Sequence, residues 1–348
     1  MKSLSAHIKD TIKHIAFVAA ALCITACGPI LDNDYGDCTV RYHVCFKYDY
    51  NMLGVDAFSK QVEYVTLYAF DADGVLCHQI SETKENILAN NNRMTIPFCP
   101  EEYHLVSWGH NINCQTTELP ALTCGSSTLN DLKCRIGGRS KADNCTQVCE
   151  IGPIFHGETI CPTPENEDEL NPIYMMPMMK NTNNVRIILQ NQSNEPLYVE
   201  KFDFTIVEEN GLMNFDNSLL PDEQLTYIPF YTGSGQVEYE EEEEENPTRA
   251  QESLNVAIAE FTFGRIMADR KPRLTVTNKE TGKKVFSIPL TDYLKIARSQ
   301  YVENMSDQEY LDREDAYALT FILDKQGNWM SSHIFINSWR VVLMEVEF

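Results

Sequence analysis

Residues 39–50 alternate apolar and polar side chains with a period of two, and this pattern constrains the fold more than any other feature of the chain. The apolar set is Val40, Tyr42, Val44, Phe46, Tyr48 and Tyr50. Arg41, His43, Lys47 and Asp49 occupy alternate positions. Because successive side chains of a strand point to opposite faces, the segment is predicted to be a half-buried β-strand.

Short apolar segments of the same kind recur along the chain and are separated by turn signals such as Asp71-Ala72-Asp73-Gly74. Further strands are predicted at 64–70, 94–98, 103–108, 185–189, 202–206, 225–231, 254–263, 274–276, 285–288 and 317–323. Asn210-Gly211 favours a hairpin after the strand at 202–206. Residues 334–348 are apolar on both faces and predict a closing strand covered on both sides. This spacing is typical of β-sandwiches.

Two short helices are predicted near the C-terminus. Thr291 is a candidate cap for a helix that starts near Asp292, and Ser306 with Glu309 forms a capping box for a second helix. The predicted fold is therefore all-β, with short helices in its C-terminal part.

The N-terminus reads as an export signal. Lys2, Lys9 and Lys13 precede an apolar run at 15–26, which is shorter than the roughly 20 residues that cross a bilayer. The run ends at Ile24-Thr25-Ala26-Cys27-Gly28, which is similar to a bacterial lipobox. We expect cleavage before Cys27 and acylation of its thiol, which anchors the protein to a membrane. The alternative is an ordinary signal peptide beside a structural cysteine.

The chain beyond the signal is long for a single core. After residues 1–27, about 320 residues remain, which predicts two domains. We place an N-terminal β-sandwich at 28–180, with a cysteine-rich insertion, and a C-terminal β-sandwich at 181–348.

The charge is strongly acidic. Loss of residues 1–27 removes three Lys and one Asp, so the formal charge moves from -23 to -25. Such a body repels nucleic acid and anionic membrane surfaces. Six consecutive glutamates at 240–245 predict a solvated loop between strands. A calcium site there is the alternative, but consecutive carboxylates lack the spaced layout of a calcium loop.

Ten of the 12 cysteines are candidates for disulfides once Cys23 is removed and Cys27 is acylated. Six of them crowd into one segment, which predicts a disulfide-stapled insertion: Cys114, Cys124, Cys134, Cys145, Cys149 and Cys161. Zinc bound by Cys145, Cys149 and His156 is the alternative, although no pair of CxxC units supports it.

Five residues, Met175-Met176-Pro177-Met178-Met179, stand out at the predicted domain junction. Methionine is a flexible apolar residue that fills irregular gaps, and we interpret the run as such a filler. Metal binding by the thioether sulfurs is the alternative.

No catalytic motif is present, since GxGxxG, GxxxxGK[ST], HExxH and GxSxG are all missing from the sequence. His110, with Asp and Ser residues elsewhere in the chain, does not define a catalytic triad. Asp312 and Glu314 are interpreted as part of a solvated helix face rather than as the carboxylate pair of a glycosidase. We therefore expect no enzyme activity, no cofactor and no metal.

Four segments, together with the Cys27 lipobox, resemble the FimB-type fimbrial anchor family of Bacteroidales, the accessory lipoproteins of transthyretin-like fimbriae. They lie at 46–71, 209–220, 272–290 and 334–342, and include Phe46-Lys47-Tyr48-Asp49-Tyr50-Asn51, Glu209-Asn210-Gly211-Leu212-Met213, Pro272-Arg273-Leu274-Thr275-Val276 and Ile336-Asn337-Ser338-Trp339-Arg340. The segment 114–161 is the least similar to the family.

The resemblance implies two tandem transthyretin-like Greek-key β-sandwiches at the cell surface. It implies an outer-membrane lipoprotein that holds the base of a pilus and engages pilin, the fimbrial stalk subunit, by β-strand complementation. We hypothesise that residues 334–348 lie at or near the surface that contacts the next subunit, with an internal sandwich strand as the alternative.

Two other functions stay open. Glycan-binding surface lipoproteins are also tandem β-sandwiches on a lipid tether, and exposed aromatic platforms would favour this function. Trp108, Trp329 and Trp339 all lie inside strand patterns or at their edges. A secreted hydrolase would require a deep cleft with convergent carboxylates.

Overall fold

The computed structural model describes residues 39–111, 116–142, 145–191, 195–238, 253–300, 305–336 and 339–342. Two units separate along the chain, Met1–Val40 and Arg41–Phe348, and the following account concerns the second.

Strands dominate the described residues. The first eleven are β1 (Tyr42–Lys47), β2 (Tyr64–Phe70), β3 (Leu76–Thr83), β4 (Arg93–Ile96), β5 (His104–His110), β6 (Thr117–Glu118), β7 (Lys133–Ile136), β8 (Ser140–Ala142), β9 (Cys145–Val148), β10 (Ile154–Ile160) and β11 (Ile173–Lys180). The others are β12 (Thr182–Asn191), β13 (Phe202–Glu208), β14 (Leu212–Asn214), β15 (Leu225–Tyr227), β16 (Tyr231–Glu238), β17 (Ser253–Gly264), β18 (Arg273–Asn278), β19 (Lys284–Pro289), β20 (Ala316–Leu323), β21 (Trp329–Ile336) and β22 (Trp339–Val342). The α-helices are α1 (Phe58–Gln61), α2 (Lys84–Ala89), α3 (Leu290–Ile296) and α4 (Asp307–Arg313).

A seven-stranded sheet in the order β3-β2-β5-β10-β11-β1-β4 forms the N-terminal part of the fold. Strand β11 changes partner along its length: residues 173–177 pair in parallel with β1, and residues 178–180 pair antiparallel with β10. Pro177, which has no backbone N–H to donate, occupies this point of exchange. The sheet therefore consists of two parts joined by β11, with β3, β2, β5 and β10 in one part and β1 and β4 in the other. The two parts enclose a core.

Two six-stranded sheets form the C-terminal part, in the orders β16-β17-β12-β20-β21-β22 and β19-β18-β13-β15-β9-β8. A small sheet, β14-β7-β6, accompanies them. The all-β fold with short helices is confirmed, and both predicted C-terminal helices are present as α3 and α4.

The buried side chains form two clusters. The smaller one contains Phe46, Tyr48 and Phe155 and lies within the seven-stranded sheet. The larger one runs through both six-stranded sheets and also includes Tyr68 and Trp108 from the opposite face of the seven-stranded sheet. Strands β2 and β5 are therefore buried on both faces, which explains why their sequences are apolar without alternation.

The methionine run lies in β11. Met176 and Met178 are fully buried in the smaller cluster, which confirms their interpretation as apolar filler. Ser107 contacts the Met178 sulfur, at 3.1 Å between Oγ and Sδ.

Three predictions about local structure were wrong. No hairpin forms at Asn210-Gly211, because β13 pairs with β15 and β18 while β14 pairs with β7. Helix α3 begins at Leu290, and Thr291 lies inside it as a buried residue rather than as its cap. The predicted closing strand at 334–348 is divided, since β21 ends at Ile336 and β22 pairs back antiparallel onto it. Residues 343–348 lie outside the described part of the chain.

The segment 114–161 contributes regular structure rather than a stapled insertion. Strand β7 pairs with β14, and β9 pairs in parallel with β15, so residues on both sides of position 180 share sheets. The cysteines in the described ranges carry free thiols: Cys45, Cys77, Cys99, Cys124, Cys134, Cys145, Cys149 and Cys161. None of the described cysteines of this segment is joined to another by a disulfide, and Cys134 is fully buried between paired strands. The boundary between 28–180 and 181–348 stays a prediction.

Candidate functional site

Two sequence predictions concern parts of the chain outside the described residues. The lipidation site Cys27 and the six glutamates at 240–245 both lie there. No helix in the described part of the chain is long and apolar enough to cross a membrane. Membrane attachment through Cys27 therefore stays a prediction.

The alternative zinc site is not assembled. Cys145 Sγ donates to the carbonyl of Ala142, Cys149 Sγ donates to the carbonyl of Pro229, and His156 bonds through Nε2 to the carbonyl of Phe215 at 2.7 Å. The three side chains thus have separate partners. Among the residues that the structure describes, no group of three or more His, Cys, Asp or Glu side chains is placed to hold a metal ion.

The buried imidazole of His156 has a structural role. Burial lowers the pKa of His156 to about 4, so its neutral form donates from Nε2 at neutral pH. Its ring packs edge-on against the indole of Trp108, with 4.8 Å between centroids. His110, the other histidine considered for chemistry, packs against Tyr64 and bonds to the Asn111 carbonyl.

The interpretation of Asp312 and Glu314 as a solvated helix face was wrong. The Asp312 side chain is 10% exposed and receives the guanidinium of Arg265, with 3.2 Å from Nη2 to each carboxylate oxygen. Glu314 accepts the backbone N–H of Ala316 at 3.2 Å. Burial raises the pKa of both carboxyl groups. Both residues are thus engaged within the fold rather than free for catalysis.

A polar seam joins the two parts of the fold. Asn181, between β11 and β12, and Asn217, after β14, are buried and exchange side-chain hydrogen bonds of 2.7 and 3.1 Å. The Asn217 carbonyl also accepts from Arg265. On a neighbouring surface, the Arg313 guanidinium lies 4.3 Å from the ring centroid of Tyr50. These contacts fix the orientation of the sheets on either side.

A cleft of about 380 Å³ opens beside this seam. Its lining mixes acidic, apolar and basic groups, among them Asp49, Glu158, Met179, Asp216 and Arg265. The charged groups already have partners: Lys47 for Asp49, His104 for Glu158, Asp312 for Arg265, and the Ser218 hydroxyl and backbone N–H for Asp216. The cleft therefore offers no convergent pair of free carboxylates, which the hydrolase alternative required.

Two strands lie at the edges of the sheet that contains β12. Strand β22 pairs with β21 from Ile336–Trp339 to His333–Val342, and β16 pairs with β17 over all eight of its residues. Each of these strands has one neighbour in the described sheet order. A sheet edge presents backbone N–H and C=O groups that can pair with an added strand.

The outer face of the same sheet carries a groove of about 370 Å³. Phe230 and the Arg186–Glu260 ion pair flank it, and Ala316 and Ala318 form part of its lining. Tyr231, next to Phe230, is 52% exposed. The groove is therefore a shallow, partly apolar surface rather than an enclosed active site.

The family model for fimbrillin-A associated anchor proteins Mfa1 and Mfa2 matches residues 35–345. The chain belongs to this family. Its role is that of a fimbrial accessory protein associated with fimbrial subunits at the cell surface, and it is not an enzyme. The resemblance proposed from the four sequence segments is thereby confirmed.

Solved structures support the same fold for this Mfa1 and Mfa2 family member. A candidate polysaccharide-binding protein of Bacteroides thetaiotaomicron is 29% identical, with a TM-score of 0.70, 88% of this chain and 99% of that chain covered. A candidate adhesin of the same organism is 28% identical, with a TM-score of 0.75 and coverages of 89% and 99%. The fimbrial anchor protein Mfa2 from Porphyromonas gingivalis is 16% identical, with a TM-score of 0.60 and coverages of 87% and 98%. At this identity, the similarity supports the shared fold alone. No curated protein matches the chain.

Sequence reasoning missed the polar seam. Asn181 and Asn217 are separated by 36 residues and belong to no local motif. The one available signal was the family-like segment at 209–220, which contains Asn217 but does not reveal its partner.

Proposed function

We propose that the chain is an outer-membrane lipoprotein, acylated at Cys27, that holds the base of a fimbria and engages the stalk subunit by β-strand complementation. The outer edge of β22 carries this proposal, because β21 is the one neighbour that β22 has among the strands that the structure describes. Strand addition at such an edge supplies backbone hydrogen bonds for affinity and alternating side-chain positions for register.

The backbone geometry of β22 permits a sharp test. In an antiparallel pair, successive residues alternate between directing their N–H groups to the neighbour and away from it. Of Arg340 and Val341, one therefore donates toward β21 and the other toward the open edge. Proline lacks an N–H, so Arg340→Pro and Val341→Pro separate the two directions.

We expect both variants to lose stalk-subunit binding, measured by titrating the full chain with purified subunit. One of them should keep the wild-type melting temperature, since its proline removes an outward N–H and leaves the β21 ladder intact. Full binding by that folded variant would contradict strand addition at β22.

Proline substitutions at the opposite edge are the matched control. Thr232→Pro and Gly233→Pro probe consecutive residues of β16, which pair with Ala259 and Ile258. The folded variant of this pair should bind the stalk subunit as tightly as the wild type. If the folded β16 variant loses binding and the folded β22 variant binds normally, the contact lies at β16 and the proposal is contradicted.

The lipid part of the proposal has a separate test. Cells that express the full chain are fed an alkyne-labelled fatty acid, and label on the protein is detected after extraction. Cys27→Ala should abolish both the label and membrane retention, whereas Cys23→Ala, within the predicted leader, should keep them. An unlabelled wild-type protein would contradict lipidation.

Glycan binding is the second candidate function. One similar structure is described as a candidate polysaccharide-binding protein. Phe230, which lines the outer groove, and the adjacent Tyr231 are both exposed. Trp108 is fully buried and Trp329 packs against Phe286 and Phe321, so neither offers a platform. Retention of the wild type on a polysaccharide column, lost in Phe230→Ala/Tyr231→Ala, would favour this function, and elution in the void volume would oppose it.

A further inference from the structure

A turn at residues 123–127 lies against the beginning of edge strand β3. The Leu76 N–H donates to the Ser127 carbonyl at 2.8 Å, and the Gly125 N–H donates to the Leu76 carbonyl at 2.7 Å. Beside them, Val75 and Thr128 form an antiparallel bridge. Two segments that are distant in sequence thus run side by side at one end of the sheet.

This pairing brings two cysteines near each other. The Gly125–Leu76 hydrogen bond joins the peptide group between residues 76 and 77 to the one between residues 124 and 125. Cys77 follows Leu76 and Cys124 precedes Gly125, so this hydrogen bond holds the two cysteines on adjacent segments. A disulfide requires Cα atoms roughly 4.4–6.8 Å apart, a spacing that adjacent hydrogen-bonded segments provide.

The thiols are accessible. Cys124 is exposed and Cys77 is half-buried. The Cys77 thiol lies 3.7 Å from a carboxylate oxygen of Asp71 and 3.6 Å from the Val75 carbonyl. Partial burial, the Asp71 carboxylate and the neighbouring Cys124 raise the pKa of Cys77. The exposed Cys124 is thus better placed to attack an external disulfide first.

We propose that Cys77 and Cys124 form a disulfide that fastens the 123–127 turn to β3. Cys124 thiolate attacks a small-molecule disulfide such as oxidised glutathione, which gives a mixed disulfide and releases one thiol. Cys77, deprotonated as it reacts, then attacks the Cys124 sulfur and releases the second thiol. Two protein thiols are oxidised, and one external disulfide is reduced to two thiols.

The Cys77–Cys124 disulfide would hold the 123–127 turn over the end of edge strand β3. Strand β3 has one neighbour, β2, in the described sheet order, and unprotected edges pair with other chains. Strand β3 pairs with β2 along its whole length, from the Tyr64–Thr83 pair to the Phe70–Leu76 pair. The turn, in contrast, is held by a few backbone hydrogen bonds. A covalent link keeps the turn in place when those bonds open.

Peptide mapping tests the proposal directly. The folded full chain is equilibrated with reduced and oxidised glutathione, free thiols are trapped by alkylation, and trypsin with a glutamate-specific protease cleaves the chain. Residues 64–82 then contain Cys77 and residues 119–133 contain Cys124, each as their single cysteine. We expect these peptides joined, at the sum of their masses less two hydrogens. Recovery as separately alkylated peptides, or linkage of either to another cysteine, would overturn the proposal.

Thermal unfolding provides a second readout. A reductant should lower the melting temperature of the oxidised wild type by roughly 5–10 °C, because the link closes a long loop. Cys77→Ser and Cys124→Ser should melt at the temperature of the reduced wild type and ignore the reductant. Cys149→Ser, which removes another exposed thiol, should respond as the wild type does. Equal melting temperatures for reduced and oxidised wild type would contradict a stabilising disulfide.

Discussion

Asn181 and Asn217 exchange hydrogen bonds in both directions, from Asn181 Nδ2 to Asn217 Oδ1 at 2.7 Å and from Asn217 Nδ2 to Asn181 Oδ1 at 3.1 Å. Both residues are buried, and Asn217 has a φ of 64°. Asparagine suits this position because it tolerates the left-handed region better than most residues and supplies both a donor and an acceptor. The pair therefore satisfies two buried amides with each other.

Asn217→Gly should lower the free energy of unfolding by about 1–3 kcal/mol, because the Asn181 amide loses its partner inside the protein. Asn217→Ala should cost roughly 1–2 kcal/mol more, because alanine is strained at positive φ. Urea unfolding measures both values. Asn91→Gly, at an exposed residue with a φ of 55°, is the control and should be nearly neutral. Equal stability of Asn217→Gly and the wild type would contradict a role for the pair.

Arg265 and Asp312 form an ion pair whose side chains are 12% and 10% exposed. Asp312→Ala should destabilise the protein by about 3–5 kcal/mol, because it leaves a buried guanidinium without its carboxylate. Arg265→Met/Asp312→Leu should cost less than the single substitution, which denaturant unfolding of both variants will show. The exposed Lys47–Asp49 pair is the comparison, and Asp49→Asn should change stability by less than about 1 kcal/mol. A larger loss in the double variant would oppose this account.

His156 should make the fold sensitive to mild acid. Its pKa is about 4 in the folded state, against 6.5 for a free histidine, so the unfolded chain binds more protons between these values. Stability from this residue is full above pH 6.5 and falls by about 3 kcal/mol as the pH drops to 4. His156→Gln, which retains a donor for the Phe215 carbonyl, should flatten that part of the profile. If the free energy of unfolding depends on pH in the same way in the wild type and in His156→Gln, His156 is not the group responsible.

Gly157 is required by close packing. A Cβ there would lie 2.6 Å from Met178 Sδ and 2.7 Å from the Pro177 carbonyl oxygen. Gly157→Ala should therefore lower the free energy of unfolding by about 1–3 kcal/mol or more. Gly235→Ala is the matched strand control, since nothing lies within 4 Å of its added Cβ. Calorimetry of the two variants measures the difference, and a neutral Gly157→Ala would show that the core can relax.

Local sequence signals predicted local structure well. The strand at 64–70 has the predicted bounds as β2, and the Ser306 hydroxyl accepts the Glu309 N–H at 3.1 Å to cap α4. The strands predicted at 274–276 and 285–288 are present as the antiparallel pair β18 and β19, and Gly282 between them has a φ of 67°. Each depends on residues close in sequence, where side-chain period and turn chemistry decide the conformation.

Features that depend on distant residues escaped prediction. Strand β3 was missed because it lies at an edge, where polar residues such as His78, Gln79 and Glu82 interrupt the apolar pattern. Asn210-Gly211 has the composition of a hairpin turn, yet Asn210 is buried and accepts from the Tyr227 hydroxyl at 2.6 Å. Tertiary contacts of this kind override local turn preference, and they also assemble the Asn181–Asn217 seam.

Affinity capture of the full chain from the cell envelope tests the central claim most directly. The tagged protein is cross-linked in intact cells and purified in detergent, and the attached proteins are identified by mass spectrometry. The account predicts a fimbrial stalk subunit, cross-linked near β22, that is lost in the folded member of the Arg340→Pro and Val341→Pro pair. Capture of that subunit at undiminished yield by the folded variant, or its absence from the wild-type sample, would contradict the account.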